Sequence, residues 1–126
     1  MLKSGRVLED AFLRQAQRDY GELNPKPATL EQDMHHGTDV VLEWENGKCI
    51  PIGLTRKMEV EKVLRDANKA SRMWDFWVEV IVPGSETEDT DIDNALSYLS
   101  NEMKEQSAGF YALTCASGSV HCSRLN

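Results

Sequence analysis

The sequence is poor in cysteine, with only three among its 126 residues. A small, odd number of cysteines argues against a disulfide framework and indicates reduced thiols. Long apolar runs are missing as well, which excludes a membrane-spanning helix. The opening stretch MLKSGRVLEDAF is charged and soon takes a helical pattern, so we expect no secretory signal there. These absences predict a cytoplasmic protein without a membrane partner.

Positive charge is scarce, because 14 lysine and arginine residues stand against 21 aspartate and glutamate residues, a net charge of −7. This balance argues against direct binding to nucleic acid. Acidity mainly confers solubility, but it also suits a protein that competes for a basic surface on a partner. Phosphate-binding glycine loops and the HExxH and GxSxG motifs are absent too. No cofactor is therefore predicted.

The composition itself is that of a globular protein, with 40% apolar and 28% charged residues. A chain of this length can bury one core but not two ordinary ones. We therefore predict a single domain over residues 1–126.

The clearest local signal is a β-hairpin over residues 39–54. Asn46-Gly47 lies between two β-branched runs, the arrangement most typical of a hairpin turn. A three-residue loop with Gly47 as a bulge separates apolar from polar side chains better than a two-residue loop does. That register places on one face Val40, Leu42, Ile50, Ile52 and Leu54. We expect this face to pack under the helix that begins near Arg56, and Pro51 on the other face predicts an edge strand.

The rest of the chain alternates helical and extended patterns. Apolar periodicity and capping residues predict main helices over residues 5–20, 56–72 and 91–106. Thr29-Leu30-Glu31-Gln32 fits a capping box, which predicts a single helical turn up to about His35. Alternating apolar residues predict a strand over 76–82 and a second hairpin over 110–125. This order predicts an α+β domain with an antiparallel or mixed sheet of about five strands and helices mainly on one face. The strand order stays open.

Two neighbouring regions suggest that the protein works by binding. The strand over 76–82 is apolar on both faces, so it is either central in the sheet or in contact with a partner. The acidic segment after it could meet a basic surface and speed the encounter. The candidate interface residues are Trp77, Glu79, Ile81, Glu86, Glu88, Asp89, Asp91 and Asp93. We expect a small, acidic, non-enzymatic domain that binds a protein or itself, either an inhibitor or immunity-type protein or a self-associating module.

The aromatic residues support an alternative function. Tryptophan and tyrosine line ligand pockets as well as cores. Trp44, Trp74 and Tyr111 would line a pocket between the helices and the sheet. The alternative is therefore a small-molecule-binding or enzymatic domain.

Carboxylates and histidines occur only in incomplete metal-binding patterns. The acidic run over residues 89–94 lacks the glycine and the distant glutamate of a calcium loop. His35 and His36, with Asp33 and Asp39 nearby, are adjacent and therefore point apart on a helix or a strand. We interpret the two histidines as an exposed loop pair, and no metal site is predicted.

The cysteines give one further incomplete pattern. Cys115, His121 and Cys122 are the thiol and imidazole groups that lie close in sequence. A structural zinc ion takes four ligands, so Cys49 would have to complete this set. Whether the three groups converge stays open.

The order helix, hairpin, helix, strand loosely resembles that of nucleases of the PD-(D/E)xK superfamily, over about half of the chain. The helix carries Glu9, and the hairpin starts at Asp39. In that family an acid and a lysine on the second strand of the hairpin complete the metal site. The corresponding stretch here, residues 50–55, contains neither. The resemblance therefore fails at its decisive motif, and it assigns no family and no Mg²⁺ site.

Overall fold

A computed structural model describes residues 4–44, 46–84, 86–106, 108–116 and 118–125. Its helices are α1 (Ser4–Asp19), α2 (Leu30–His35), α3 (Val60–Ala70) and α4 (Glu88–Glu102), with a 3-10 turn at Gly21–Leu23. The strands are β1 (Lys26–Pro27), β2 (Val40–Glu43), β3 (Cys49–Thr55), β4 (Phe76–Ile81), β5 (Gly109–Ala116) and β6 (Ser119–Arg124). Among these helices, none combines the length and apolar character that a membrane span requires.

The strands form one mixed sheet of six in the order β1-β2-β3-β4-β5-β6. Neighbours pair antiparallel except β3 with β4 and β4 with β5, which are parallel. Parallel neighbours need a crossover connection, and α3 and α4 supply the two crossovers. The predicted α+β class with a mixed sheet is confirmed, and the strand that the sequence did not predict is the short β1.

The first hairpin has the predicted register. Val40 pairs with Ile52 and Leu42 with Ile50, as a three-residue loop requires. The Trp44 N–H donates to the Lys48 carbonyl at 2.8 Å, and Gly47 has a φ of 83°. Glu45, the first residue of the predicted loop, lies outside the described residues.

Replacing Gly47 with alanine should lower the free energy of unfolding by about 1 kcal/mol, since a Cβ disfavours a positive φ. No atom of the described residues lies within 4 Å of the position that this Cβ would take, so the expected effect is conformational and not steric. Chemical denaturation measures it. Gly47→Asn is the matched control, because asparagine tolerates the left-handed region. Equal losses in the two variants would contradict the bulged loop.

The hairpin face packs against a different helix from the one predicted. Its apolar residues share one buried cluster with Leu8 and Phe12 of α1 and with Leu96 of α4. α3 instead covers the other face of the sheet, where Ala67 and Ala70 contact Trp77. The expectation that the hairpin packs under the helix that follows it was therefore wrong.

Both faces of the sheet are covered because the two crossovers differ in hand. α3 joins β3 to β4 on the Trp77 face, and α4 joins β4 to β5 on the Val78 face. Both connections step in the same direction across the sheet. One of them must therefore be left-handed, whereas about 98% of parallel crossovers are right-handed. Two of the three main helices, α1 and α4, still share the Val78 face, which agrees with the prediction of helices mainly on one face.

Pro51 does not mark an edge strand. β3 lies inside the sheet, between β2 and β4. Pro51 pairs with Val41 of β2, and the parallel pairing with β4 begins one residue later, at Ile52. The N–H group that proline lacks is therefore not needed in the parallel ladder.

Candidate functional site

Three carboxylates from separate elements meet at one end of the sheet. Glu9 lies on α1, Asp33 on α2, and Asp39 immediately before β2. One ligand oxygen from each lies within 4.8 Å of the other two. The Oδ2 atom of Asp39 accepts a hydrogen bond from the Leu54 N–H at 2.7 Å, which orients this carboxylate.

Local structure explains how Asp33 reaches this position. Thr29 caps α2 with the predicted capping box, since its Oγ1 accepts from the Gln32 N–H and the Gln32 Oε1 accepts from the Thr29 N–H. Asp33 follows in the same short helix. Gly37, with a φ of 59°, then turns the chain towards Asp39.

Two tryptophans hold the segment between α2 and Asp39. The Trp77 indole N–H donates to the Gly37 carbonyl at 3.2 Å. The Trp74 indole N–H donates to the Thr38 hydroxyl at 3.1 Å. These two hydrogen bonds hold the segment, which includes the fully buried Thr38, against the α3 side of the sheet.

The carboxylates open into a small polar cavity of about 200 Å³, which we call the carboxylate cavity. Its lining residues are Glu9, Asp33, Gly37, Asp39, Leu54, Lys62, Asp66 and Lys69. Lys62 Nζ lies 3.0 Å from Asp66 Oδ2, one helical turn away on α3. The ammonium group of Lys62 is therefore already paired.

A fourth carboxylate, that of Glu79, lies behind the wall of the cavity. Glu79 is 1% exposed, and its Oε2 has no hydrogen-bond partner in the part of the chain that the structure describes. It pairs in register with Gly53 of β3, and its Oε2 occupies the space where a side chain at Gly53 would begin. The Gly37 carbonyl borders the same space. Glu79 thus points towards the cavity from β4.

The environment raises the pKa of two of these acids. Burial, together with the neighbouring carboxyl of Glu9, raises the pKa of Asp39 to about 9, although the Leu54 N–H acts in the opposite direction. Burial and the charge of Asp66 raise the pKa of Glu79 to about 8, with Lys62 opposing. Burial lowers the pKa of Lys62, but Asp66, Glu79 and Asp39 outweigh it and the net shift is upward. A positive charge in the cavity would favour the ionised carboxylates.

The candidate interface on the strand over 76–82 is inside the protein. Trp77, Glu79 and Ile81 are 0%, 1% and 2% exposed. The side chains of α3 cover this face, with Ala67 and Ala70 among them. Of the two alternatives for this strand, the central position is the one found, and the three side chains are not available to a partner.

The acidic segment is dispersed rather than presented as one patch. Among its candidate residues Glu86 and Asp89 are exposed. Glu88 pairs with Arg56, and Asp91 is 3% exposed. Asp93 accepts a hydrogen bond from the Tyr20 hydroxyl at 3.0 Å. Much of this charge therefore stabilises the start of α4 and its contact with α1.

The three aromatic pocket candidates lie in different places. Trp44 borders an open surface pocket of about 490 Å³ with Lys104 and Glu105. Trp74 is bonded to Thr38, beside the carboxylate cavity. Tyr111 belongs to the main core, and its hydroxyl bonds Gln106 at 3.2 Å. Within the described residues, these three side chains therefore do not line one pocket.

The cysteines and His121 do not gather either. Within the described ranges, the carboxylates of the cavity are the group of three that could hold a metal ion. Cys115 is buried, which raises the pKa of its thiol to about 11, with the charge of Asp91 adding to the shift. His121 is exposed on β6. The convergence that the sequence left open is not found.

In the sequence, Asp33 is grouped with the histidines, and Glu9 enters only through the nuclease resemblance. Asp39 has no catalytic role in that resemblance, because residues 50–55 contain no acid and no lysine. The acid next to Gly53 comes instead from Glu79 on the neighbouring strand. A buried glutamate in the apolar run FWVEVIV was the signal that would have drawn attention to this end of the sheet.

No protein-family model matches the chain, and no curated protein or solved structure matches it either. The function is therefore inferred from the site itself.

Proposed function

We propose that this chain is a small acidic binding domain that receives a positively charged group of its ligand in the carboxylate cavity. The supporting observation is the gathering of Glu9, Asp33 and Asp39 within 4.8 Å of one another. Across the described residues, no ion pair involves any of the three. Ionising all three groups side by side costs free energy, and a cation from a ligand offsets that cost.

A basic partner protein is the ligand that suits the charge of the chain. A net charge of −7 steers such a partner towards the domain. Leu30 and Met34 lie on α2 next to Asp33, and they are 74% and 57% exposed. They would add apolar contact around an inserted lysine or arginine. An inhibitor or immunity-type protein acts in this way, without chemistry of its own.

The proposal is tested with L-arginine methyl ester, which carries a guanidinium group and no carboxylate. The Leu54 amide reports directly on Asp39, because it donates to this carboxylate. We expect saturable shifts of the Leu54 and Gly37 amide resonances in nuclear magnetic resonance spectra of the labelled protein, and weaker shifts at higher salt.

The double variant Asp33→Asn/Asp39→Asn should lose these shifts. Glu86→Gln/Asp89→Asn is the matched control, because it removes the same charge from exposed positions outside the cavity. Equal shifts in both double variants, or shifts spread evenly over the acidic surface, would mean that the cavity does not recognise the cation.

A further inference from the structure

The ligand atoms in the carboxylate cavity are all oxygens. Hard divalent cations prefer carboxylate oxygens at about 2.0–2.6 Å, so two ligands on opposite sides of one ion lie at most about 5 Å apart. The three oxygens of Glu9, Asp33 and Asp39 lie within 4.8 Å of one another. One ion can therefore contact all three after small side-chain movements.

The charge of the cavity favours a divalent over a monovalent group. Three carboxylates face the same point, and the nearby Lys62 is already paired with Asp66 at 3.0 Å. A divalent ion favours the ionised form of all three carboxyls more strongly than a single ammonium or guanidinium group does. Lys69 on the cavity lining can offset the negative charge that remains.

Glu79 is an independent observation that points to a ligand in the cavity. It is 1% exposed, and no hydrogen bond to its Oε2 is found in the described parts of the chain. Buried polar atoms without a partner are rare and costly. The carboxyl group points towards the cavity from behind Gly53 and the Gly37 carbonyl. A divalent ion held by the three outer carboxyls would favour the ionised form of this inner one.

The cavity is also shaped to hold an ion. The Leu54 N–H orients the Asp39 carboxyl, and a bound ion would replace the hydrogen bonds between this group and the carboxyls of Glu9 and Asp33. A volume of about 200 Å³ accommodates an ion with several of its waters, at about 30 Å³ for each water. Magnesium and calcium both retain water when few protein ligands are present.

We infer that the carboxylate cavity is a binding site for an oxygen-preferring divalent metal ion, Mg²⁺, Mn²⁺ or Ca²⁺, with Glu9, Asp33 and Asp39 as its ligands. This inference rests on the proposed function, that the cavity receives a cation, and names the cation. It departs from the sequence-based expectation that the protein holds no metal.

The test is titration of chelator-treated full-length protein with Mg²⁺, Mn²⁺ and Ca²⁺, each as its chloride. We expect one saturable site for at least one ion in calorimetry, below about 10 mM. Mn²⁺ should broaden the amide resonances of Leu54, Gly37 and Asp39 before others, because paramagnetic broadening is confined to the surroundings of the ion.

Variants locate the site. Asp33→Asn and Asp39→Asn should each weaken binding at least about tenfold. Asp33 is exposed, so its variant should fold even if replacement of Asp39 disturbs the hairpin. Glu86→Gln/Asp89→Asn is again the control and should bind within about twofold of the original chain.

Each outcome decides between the two proposals. Binding that is unchanged in Asp33→Asn and Asp39→Asn overturns this inference. If L-arginine methyl ester shifts the Leu54 amide but none of the three ions binds, the metal site is refuted and the proposed function stands. If neither the ester nor any ion binds, both are refuted.

Discussion

Replacing Gly53 with alanine will destabilise the protein by about 3 kcal/mol, the scale of overpacking in a filled core. A Cβ at this position would meet the Oε2 of Glu79, the Cζ2 of Trp77 at 2.7 Å and the Gly37 carbonyl at 2.9 Å. Trp77 and Glu79 are fully buried and Gly37 is backbone, so none of them can move away freely. Chemical denaturation of the purified variant measures the loss.

Gly21→Ala is the control for this prediction, because no atom lies within 4 Å of its new Cβ. It should change the free energy of unfolding by less than about 1 kcal/mol. Adding Glu79→Ala to Gly53→Ala should recover part of the loss, since the closest clashing group is then gone. If Gly53→Ala and Gly21→Ala are equally stable, β3 and β4 do not pack as described.

The metal-free protein should lose stability as the pH rises from 5 to 8, by about 4 kcal/mol for each of two buried carboxyls. The pKa of Asp39 is raised to about 9 in the folded state from 3.8, and that of Glu79 to about 8 from 4.5. Between the unfolded and folded values the folded protein holds the protons and the unfolded chain has lost them. The stabilisation is therefore complete below about pH 4 and is lost as the pH rises through the folded pKa values.

Urea denaturation at a series of pH values measures this slope. Asp39→Asn and Glu79→Gln should each flatten it and should be more stable than the original chain at pH 8. Glu86→Gln removes an exposed acid and should leave the slope unchanged. A stability that stays constant or increases from pH 5 to 8 would contradict the burial of both carboxyls.

Local signals predicted local structure well. The register of the first hairpin followed from the separation of apolar and polar faces, and the turn confirmed it with Gly47 at a positive φ. The cap of α2 followed from Thr29 and Gln32. These features involve residues within about fifteen positions of each other, so their pattern is visible in the chain itself.

The arrangement of helices on the sheet could not be predicted in the same way. The apolar stripe of α3 fits either face, and the common right-handed crossover would have placed α3 and α4 together. The choice depended on Trp77, whose large side chain needed a cover of small residues such as Ala67 and Ala70. That requirement arises only when the strands are side by side.

The sequence by itself determined the α+β class, the three-residue loop of the first hairpin and the acidic character of the protein. Each of these depends on composition or on neighbours in the chain. Only the tertiary structure decided the candidate site. Glu9, Asp33 and Asp39 belong to three elements, and Glu79 comes from a fourth. Ionised carboxylates repel one another, so their own interactions do not bring these residues together. The packing of the apolar faces fixes the positions of the four elements, and this places the carboxyl groups side by side.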